Sequence, residues 1–257
     1  MTPRLPLPRL FFASTPQPCP YLPGRMERKV LADLSVPDAD RLHSHLSRAG
    51  FRRSHTLAYA PLCEGCSACI PIRLPVGDFQ PDRTQRRVWR RNADLEATLC
   101  PPVATAEQYA LFRLYLDNRH ADGDMASMNE QDYAIMLEDT PVDTRVIEFR
   151  DPTETLVAVS LIDVLEDGLS AVYSFYRPDM PSRSLGCHVI LFLARQTILL
   201  GKPYLYLGYW VPDSPKMAYK SRYRPAEILR GGLWQRLNPD IPAETGRAEL
   251  FPDAPLF

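Results

Sequence analysis

The residues between Ser184 and Pro225 include the chain's densest set of side chains that could act on an anionic ligand. Four cations and two tyrosines lie close together near the end of this stretch: Lys216, Tyr219, Lys220, Arg222, Tyr223 and Arg224. The preceding pattern predicts a helix that begins at Ser184, stops before Gly201, and leads into a short buried strand at 204–207. Ser214 and Pro215 then predict the start of a second helix, 216–222, which carries the cations. A cationic helix at the end of a buried strand is where an α/β protein binds an anion.

A second cationic feature is the segment DRTQRRVWRRN at 82–92, which predicts a helix. Four arginines and one aromatic residue follow each other on it: Arg86, Arg87, Trp89, Arg90 and Arg91. Residues four apart stack on one helix face, so the arginines form two adjacent rows. Such rows of arginines can bind RNA phosphates, and the indole ring of Trp89 can stack on a base. The alternative is an ordinary solvated helix face, which is the commoner meaning of such a pattern taken alone.

The most specific local signal is Cys63-x-x-Cys66-x-x-Cys69, with Gly65 and Ser67 allowing the turns. Three thiolates at this spacing can face one metal ion or cluster, and folding could bring Cys19 to them as a fourth ligand. Tetrahedral zinc and an iron–sulfur cluster both fit this donor set. The alternative is a small core in which reduced thiols pack as apolar groups.

Two further sites could contribute chemistry. The loop His120-Ala-Asp122-Gly-Asp124 offers a general base, with Asp124 as the candidate, although Asp-Gly-Asp loops are more often turns and caps. Arg183 stands at the start of the first helix, where backbone amides bind phosphate. That position has the single glycine Gly186, so the sequence gives coenzyme A no support.

The composition limits the kinds of partner that the protein is expected to bind. The 257 residues are 45% apolar with a formal net charge of −1, so the chain can bury a full core and has no overall field that favours DNA or a membrane surface. The most apolar run, 189–200, is interrupted by Arg195 and Gln196 and is too short to cross a bilayer. The N-terminal residues resemble a signal peptide only weakly, and a cytoplasmic location with reduced cysteines is expected.

The secondary-structure elements that must position these groups are predicted to change along the chain, from a mainly helical part to a run of strands. Residues 1–20 are rich in proline and predict an irregular arm. Helices are predicted at 38–49 (after a Ser35-x-x-Asp38 start signal), 82–92, 105–118 and 129–138, with strands at 51–59 and 70–76. Three successive strands follow at 145–149, 155–164 and 170–175, with a hairpin turn at Asp167-Gly168, and one or two strands close the pattern at 228–236.

An antiparallel meander followed by a helix and another strand is the order of the acetyltransferase-like (GNAT) fold. The sequence therefore predicts an α+β protein in which a smaller Cys-bearing α/β N-terminal domain precedes a GNAT domain with flanking helices. The proline-rich segment at Cys100-Pro101-Pro102 marks the boundary, giving domains at 1–100 and 101–257.

Six motifs in register resemble the aminoacyl-tRNA–protein transferases, and more closely their bacterial aspartate/glutamate leucyltransferase branch. They are CPYLPGR (19–25), YAPLCEGCSACIPIR (59–73), RRVWRRN (86–92), DGDM (122–125), YLGYW (206–210) and SPKMAYKSRYRP (214–225). The resemblance covers nearly the whole chain. One position departs from the eukaryotic pattern, because Leu22 stands where that pattern has a second cysteine.

The resemblance implies that the protein takes leucine from leucyl-tRNA and attaches it to the N-terminal amine of proteins beginning with Asp or Glu, creating an N-degron. No cofactor is required for this reaction, and a structural zinc ion or iron–sulfur cluster on the cysteines is expected as an addition.

Predicted roles follow from this reaction. The predicted catalytic residues are Lys216, Lys220, Tyr219 and Asp124. The predicted substrate-binding residues are Arg222, Arg224, Trp210, Tyr223, Arg86, Arg87, Arg90, Arg91 and Arg183. For Trp210 and the tyrosines, packing in the core is an equally good interpretation.

Three other functions fit parts of the pattern. An arginyl-tRNA-dependent transferase would share the motifs. A coenzyme A-dependent acyltransferase of the same fold would need a pyrophosphate loop richer in glycine than 183–186. A metal-dependent RNA-binding module would explain the cysteines and the arginine helix but not the large meander domain.

Overall fold

A computed structural model of the chain describes residues 11–119 and 124–238, with the side chain of Asp124 left out. The strands are β1 (Phe11–Ala13), β2 (Gln17–Pro18), β3 (Met26–Glu27), β4 (Lys29–Asp33), β5 (Arg52–Ser54), β6 (Leu57–Pro61), β7 (Ile70–Pro75), β8 (Glu96–Cys100), β9 (Thr144–Arg150), β10 (Leu156–Val164), β11 (Gly168–Tyr176), β12 (Tyr204–Trp210), β13 (Glu227–Arg230) and β14 (Leu233–Arg236). The α-helices are α1 (Ala39–Arg48), α2 (Arg83–Arg91), α3 (Ala106–Arg119), α4 (Glu130–Glu138) and α5 (Leu185–Leu199). Short 3₁₀ helices occupy Asp124–Ser127, Pro181–Arg183 and Ala218–Arg222.

A mixed eight-stranded sheet is the centre of the fold, with the order β14-β13-β7-β12-β11-β10-β9-β8. Strands β8 to β11 form an antiparallel meander, and β12 joins β11 in parallel. The predicted α+β class and the meander are therefore confirmed. A parallel pair requires a crossover, and α5 supplies it.

Helices cover both faces of this sheet because its central strands are apolar on both sides. In β9, Ile147 and Phe149 pack in the cluster that contains α5, whereas Val146 packs in the cluster that contains α3 and α4. Strand residues alternate between the two faces, so α5 and α3/α4 lie on opposite sides. Among the helices in 11–119 and 124–238, none has the length and apolarity to cross a bilayer.

A second sheet, ordered β1-β4-β6-β5, packs with α1 around its own small core. The prediction of an irregular arm over residues 1–20 was wrong for β1 and β2, because β1 pairs with β4 and β2 pairs with β3. Residues 1–10 lie outside the described part of the chain. The domain boundary near residue 100 stays a prediction, and β7 and β8, which both precede it, are strands of the eight-stranded sheet.

A buried carboxylate joins the small sheet to the large one. Asp163 of β10 accepts two hydrogen bonds from Arg53 of β5, each 2.8 Å long, and lies 2.9 Å from Nε2 of His43 on α1. Thr144 of β9 donates a further hydrogen bond to it at 2.8 Å. Burial opposes ionisation of Asp163, but the hydrogen bonds from His43 and Arg53 and the Arg53 charge override it, so its pKa lies well below the usual value.

The sequence signals for helix starts succeeded where the cap residue is extended. Asp82 and Gln85 form a reciprocal capping box at α2, and Thr105 and Gln108 exchange the same bonds at α3. Asp38 and Ser184 precede α1 and α5 in the left-handed region, with φ of 62° and 51°, and neither side chain caps its helix. The cap role predicted for Ser184 was therefore wrong, because side-chain capping uses extended backbone at that position.

The prediction of a cationic α-helix at 216–222 was also wrong, because the segment contains a 3₁₀ helix instead. Ser214 forms a turn with Val211, and the chain then makes only the 3₁₀ helix Ala218–Arg222. Pro225 follows shortly and disfavours α-helical backbone at Arg224, so the segment has no room for an α-helix.

Candidate active site

A crevice opens where the two parallel strands β11 and β12 separate. They pair over only three residues, from Gly168↔Tyr204 to Ser170↔Tyr206, although β11 continues to Tyr176 and β12 to Trp210. Both strands carry a bulge at this point: Val172 is skipped in the pairing of β11 with β10, and Leu207 in the pairing of β12 with β7. Bulges bend strands and commonly lie beside active sites. Ligands of open α/β sheets bind in such a crevice at the carboxyl ends of the strands.

Arg52 of β5 reaches into this crevice and contacts both strands. Its Nη2 donates to the carbonyl oxygens of Ala171 and Val172 at 2.8 and 3.0 Å, beside the bulge of β11. On the β12 side, a Cβ added to Gly208 would lie 2.1 Å from Arg52 Nη1, and Gly208 has a φ of +80°. Glycine is therefore required at 208 both by the backbone conformation and by the approach of the guanidinium.

Lys220 is close enough to Arg52 to feel its charge, and its surface is 8% exposed. Its Nζ donates to the carbonyl oxygen of Tyr209 at 2.8 Å, which fastens the 3₁₀ helix to β12. Burial lowers the pKa of Lys220 well below its usual value, and the charge of Arg52 lowers it further. Lys220 is thus the one predicted catalytic lysine that the fold buries at the crevice.

Tyrosines surround the crevice. Tyr115 of α3 packs on Tyr176 of β11, with ring centroids 5.0 Å apart. Burial and the neighbouring Tyr176 raise the pKa of the Tyr219 hydroxyl, although 40% of Tyr219 is exposed. Gly186 permits this packing at the start of α5, because a Cβ there would lie 2.9 Å from the ring of Tyr176. The raised pKa values of Tyr115 and Tyr219 keep their hydroxyl groups protonated at pH 7, so they can donate hydrogen bonds.

The other predicted residues of the C-terminal block divide into exposed and buried groups. Lys216, Arg222 and Arg224 are exposed, and Arg224 donates to the carbonyl oxygen of Ser221 at 3.2 Å. Trp210 and Tyr223 are buried in the core around α5. For these two residues, the structure matches the packing interpretation.

Two further predicted residues are Arg183 and Asp124. Arg183 makes a bidentate ion pair with Asp94, through bonds of 2.9 and 2.8 Å. Asp124 begins a 3₁₀ helix, but its side chain, together with His120 and Asp122, lies outside the described residues.

Sequence reasoning missed Arg52, Gly208 and Tyr176 as residues of the crevice. Arg52 and Arg53 are neighbours on a short strand, and no local signal separates the one that enters the crevice from the one that binds Asp163. The glycine within YLGYW was the only available signal, since an isolated glycine in a strand often marks a bulge or a close approach.

The arginines of α2 form an exposed cationic face. Arg86 and Arg91 donate to the carbonyl oxygens of Pro81 and Ser182, whereas Arg87 and Arg90 extend from the helix without a hydrogen bond or ion pair to the described residues. Beside them, a mainly apolar groove of about 390 Å³ runs between α2 and α5. It is lined by Phe79, Arg86, Trp89, Arg90, Arg195 and Ile198, among others.

The four predicted cysteine ligands are neighbours at one end of the small sheet. Burial, followed by the charges of Cys19, Cys63 and Cys66, raises the pKa of Cys69 to about 12. Cys63 also accepts a hydrogen bond from the backbone of Arg28 at 3.4 Å. Four thiols suit zinc or an iron–sulfur cluster chemically, but in 11–119 and 124–238 no three His, Cys, Asp or Glu side chains are arranged to hold one metal ion.

Comparison with known proteins agrees with these motifs. The family model described as "Arginine-tRNA-protein transferase, N terminus" matches residues 17–87, and the one described as "Arginine-tRNA-protein transferase, C terminus" matches residues 107–230. The chain is 61% identical over 239 residues to a protein of Gluconacetobacter diazotrophicus named aspartate/glutamate leucyltransferase, covering 93% of this chain and 92% of that one. A protein of the same name from Granulibacter bethesdensis is 57% identical over 230 residues, covering 90% and 86%.

Among solved structures, one titled "The structure of L-PGS from Bacillus licheniformis" is similar, with a TM-score of 0.45, 12% identity, and coverage of 55% of this chain and 45% of that one. The two family models match in order along most of the sequence, and the relatives are more than half identical to it over the aligned residues. The chain therefore belongs to the arginine-tRNA-protein transferase family.

Proposed function

We propose that the protein transfers leucine from leucyl-tRNA to the N-terminal α-amine of proteins that begin with Asp or Glu, and so creates an N-degron. The observation that carries this proposal is the identity, over about nine-tenths of the chain, to relatives named aspartate/glutamate leucyltransferase. A crevice between separating parallel strands, lined by Arg52, Lys220 and tyrosines, supports it as the place of reaction.

The reaction needs positioning more than activation, because an aminoacyl ester is already reactive. The acceptor amine attacks the leucyl carbonyl carbon, a C–N bond forms, and the C–O bond to the terminal ribose breaks. The proton lost by the amine is taken up by the ribose oxygen. An α-amine has a pKa of about 7.7–8.0, so a modest base or relay suffices. We propose Lys220 and Tyr219 for that relay, with Lys216 and Asp124 as the remaining candidates.

The direct test is a transfer assay with separate donors and acceptors. We expect labelled leucine from leucyl-tRNA to appear on peptides beginning with Asp or Glu, and much less on peptides beginning with Asn or Ala. Arginyl-tRNA and acetyl-CoA serve as the competing donors. Transfer from acetyl-CoA alone, or from arginyl-tRNA in preference to leucyl-tRNA, would replace the proposed function by one of the two alternatives.

We also propose that the tRNA lies along the exposed arginines of α2 and that the protein works in the cytoplasm, where charged tRNA is made. The meander, α5 and β12 support an acetyltransferase-like assignment for this half of the chain. In this arrangement, the backbone amides at the helix start near Arg183 are the candidate phosphate contact, because Asp94 already engages the Arg183 guanidinium.

We propose that Cys19, Cys63, Cys66 and Cys69 hold a structural zinc ion or iron–sulfur cluster, after a small movement of the sulfurs. Their spacing and their mutual proximity support the proposal, and no catalytic step depends on it. We expect protein purified without oxygen to contain about one zinc ion or cluster per chain. Cys66→Ser should lose it, whereas Cys100→Ser, which changes a cysteine of β8, should keep it. Metal-free, fully folded wild-type protein with four reactive thiols would contradict the proposal.

A further inference from the structure

One nitrogen of the Arg52 guanidinium has no hydrogen-bond partner among the described residues. Its Nη2 is bonded to the two carbonyl oxygens beside the bulge of β11, whereas its Nη1 is buried and makes no hydrogen bond with the described residues. A buried donor without a partner is costly. Nη1 lies beside Gly208, between β11 and β12, with its hydrogen-bonding capacity unused by the described residues.

The charge balance of the crevice is also incomplete. Several half-buried or buried arginines have carboxylate partners: Arg53 has Asp163, Arg73 has Glu227 and Arg183 has Asp94. Within residues 11–119 and 124–238, Arg52 forms no ion pair and binds only main-chain carbonyl oxygens. A half-buried cation without a carboxylate partner favours the entry of an anion.

The chemistry of the free donor favours a carboxylate. Arg52 stands where β11 and β12 stop pairing, just beyond Ser170 and Tyr206. A carboxylate can accept a hydrogen bond from Nη1, whereas the phosphodiesters of a tRNA can bind the exposed arginines of α2. Guanidinium groups also recognise carboxylates with defined geometry.

We propose that Arg52 is the specificity-determining residue that binds the side-chain carboxylate of the acceptor's N-terminal Asp or Glu. The inference rests on the proposed transferase function and names the acceptor-binding group of its site. It moves acceptor recognition away from the exposed Lys216, Arg222 and Arg224 to a half-buried residue of the small sheet. The small sheet then contributes directly to the site on the large one.

The test compares acceptor discrimination in three proteins: wild type, Arg52→Gln and Arg52→Lys. The measured quantity is the ratio of kcat/KM for leucyl transfer to an Asp-initiated peptide over that to the matching Asn-initiated peptide. We expect Arg52→Gln to lower this ratio by about 100-fold, as expected for loss of a buried charge-assisted hydrogen bond, and Arg52→Lys to lower it by about tenfold. Arg41→Gln, which removes an exposed arginine from α1, should leave the ratio unchanged.

The ratio separates recognition from a purely structural role. If Arg52 only holds the bulge of β11, its variants slow transfer to both peptides equally and the ratio stays constant, which overturns the proposal. If Arg52→Gln does not fold, Arg52→Lys decides alone, and an unchanged ratio in that variant overturns the proposal. Absence of any leucyl transfer by the wild-type protein would instead contradict the proposed function.

Discussion

Charge reversal of Arg87 and Arg90 is expected to lower kcat/KM for leucyl-tRNA by about 100-fold, with little change in KM for the acceptor peptide. Both arginines are exposed on α2, and neither bonds to the described residues, so the double variant Arg87→Glu/Arg90→Glu should fold normally. The expected loss arises because each arginine that neutralises a tRNA phosphate releases a counterion. The salt dependence of tRNA binding should therefore become shallower by about one unit of slope per lost phosphate contact.

A matched control is available on another helix. Arg41 of α1 is also exposed, and Arg41→Glu changes the net charge by the same amount per residue without altering α2. Its effect on kcat/KM should be small. Unchanged leucyl-tRNA binding and an unchanged salt slope in the α2 variant would remove this helix from the tRNA interface.

Replacement of Asp163 by Asn should lower the free energy of unfolding by about 3–5 kcal/mol, because it leaves Arg53 buried without its counter-charge. The side chains of Asp163 and Arg53 are 0% and 1% exposed, so solvent cannot compensate for the loss. The same carboxylate holds His43 of α1 and Thr144 of β9, and its loss should loosen the small sheet from the large one. Urea-induced unfolding followed by circular dichroism measures the change.

An exposed ion pair provides the comparison. Asp179 bonds to Arg177 at 2.6 Å, but its side chain is 54% exposed, and Asp179→Asn should cost less than about 1 kcal/mol. The pKa of Asp163 is lower in the folded protein than in the unfolded chain, so its stabilisation is present above the unfolded pKa of about 4 and is lost as the pH falls below it. Equal costs for the two substitutions would show that the Asp163 cluster does not hold the sheets together.

Much of the secondary structure could be predicted because its signals are local. The helices at 83–91, 106–119 and 130–138 follow capping boxes, and the meander strands follow apolar segments with a clear turn at Asp167-Gly168. Strands β1, β2 and β3 were not predictable, since they are two or three residues long and exist only through pairing with partners elsewhere. Their formation depends on the sheet and not on intrinsic propensity.

By itself, the sequence determined the family, the exposed arginine face of α2 and the grouping of Cys63, Cys66 and Cys69, because each depends on residues close together in the chain or on motifs in a fixed order. Only the tertiary structure decided which cations line the crevice. Arg52 and Ala171 are 119 residues apart, and their contact follows from the docking of the small sheet and the bulges that separate β11 from β12. The same packing buries Lys220 and leaves Lys216, Arg222 and Arg224 exposed, although all four cations look equivalent in the sequence. Burial, and not residue type, distinguishes them, and burial is set by contacts that no local pattern encodes.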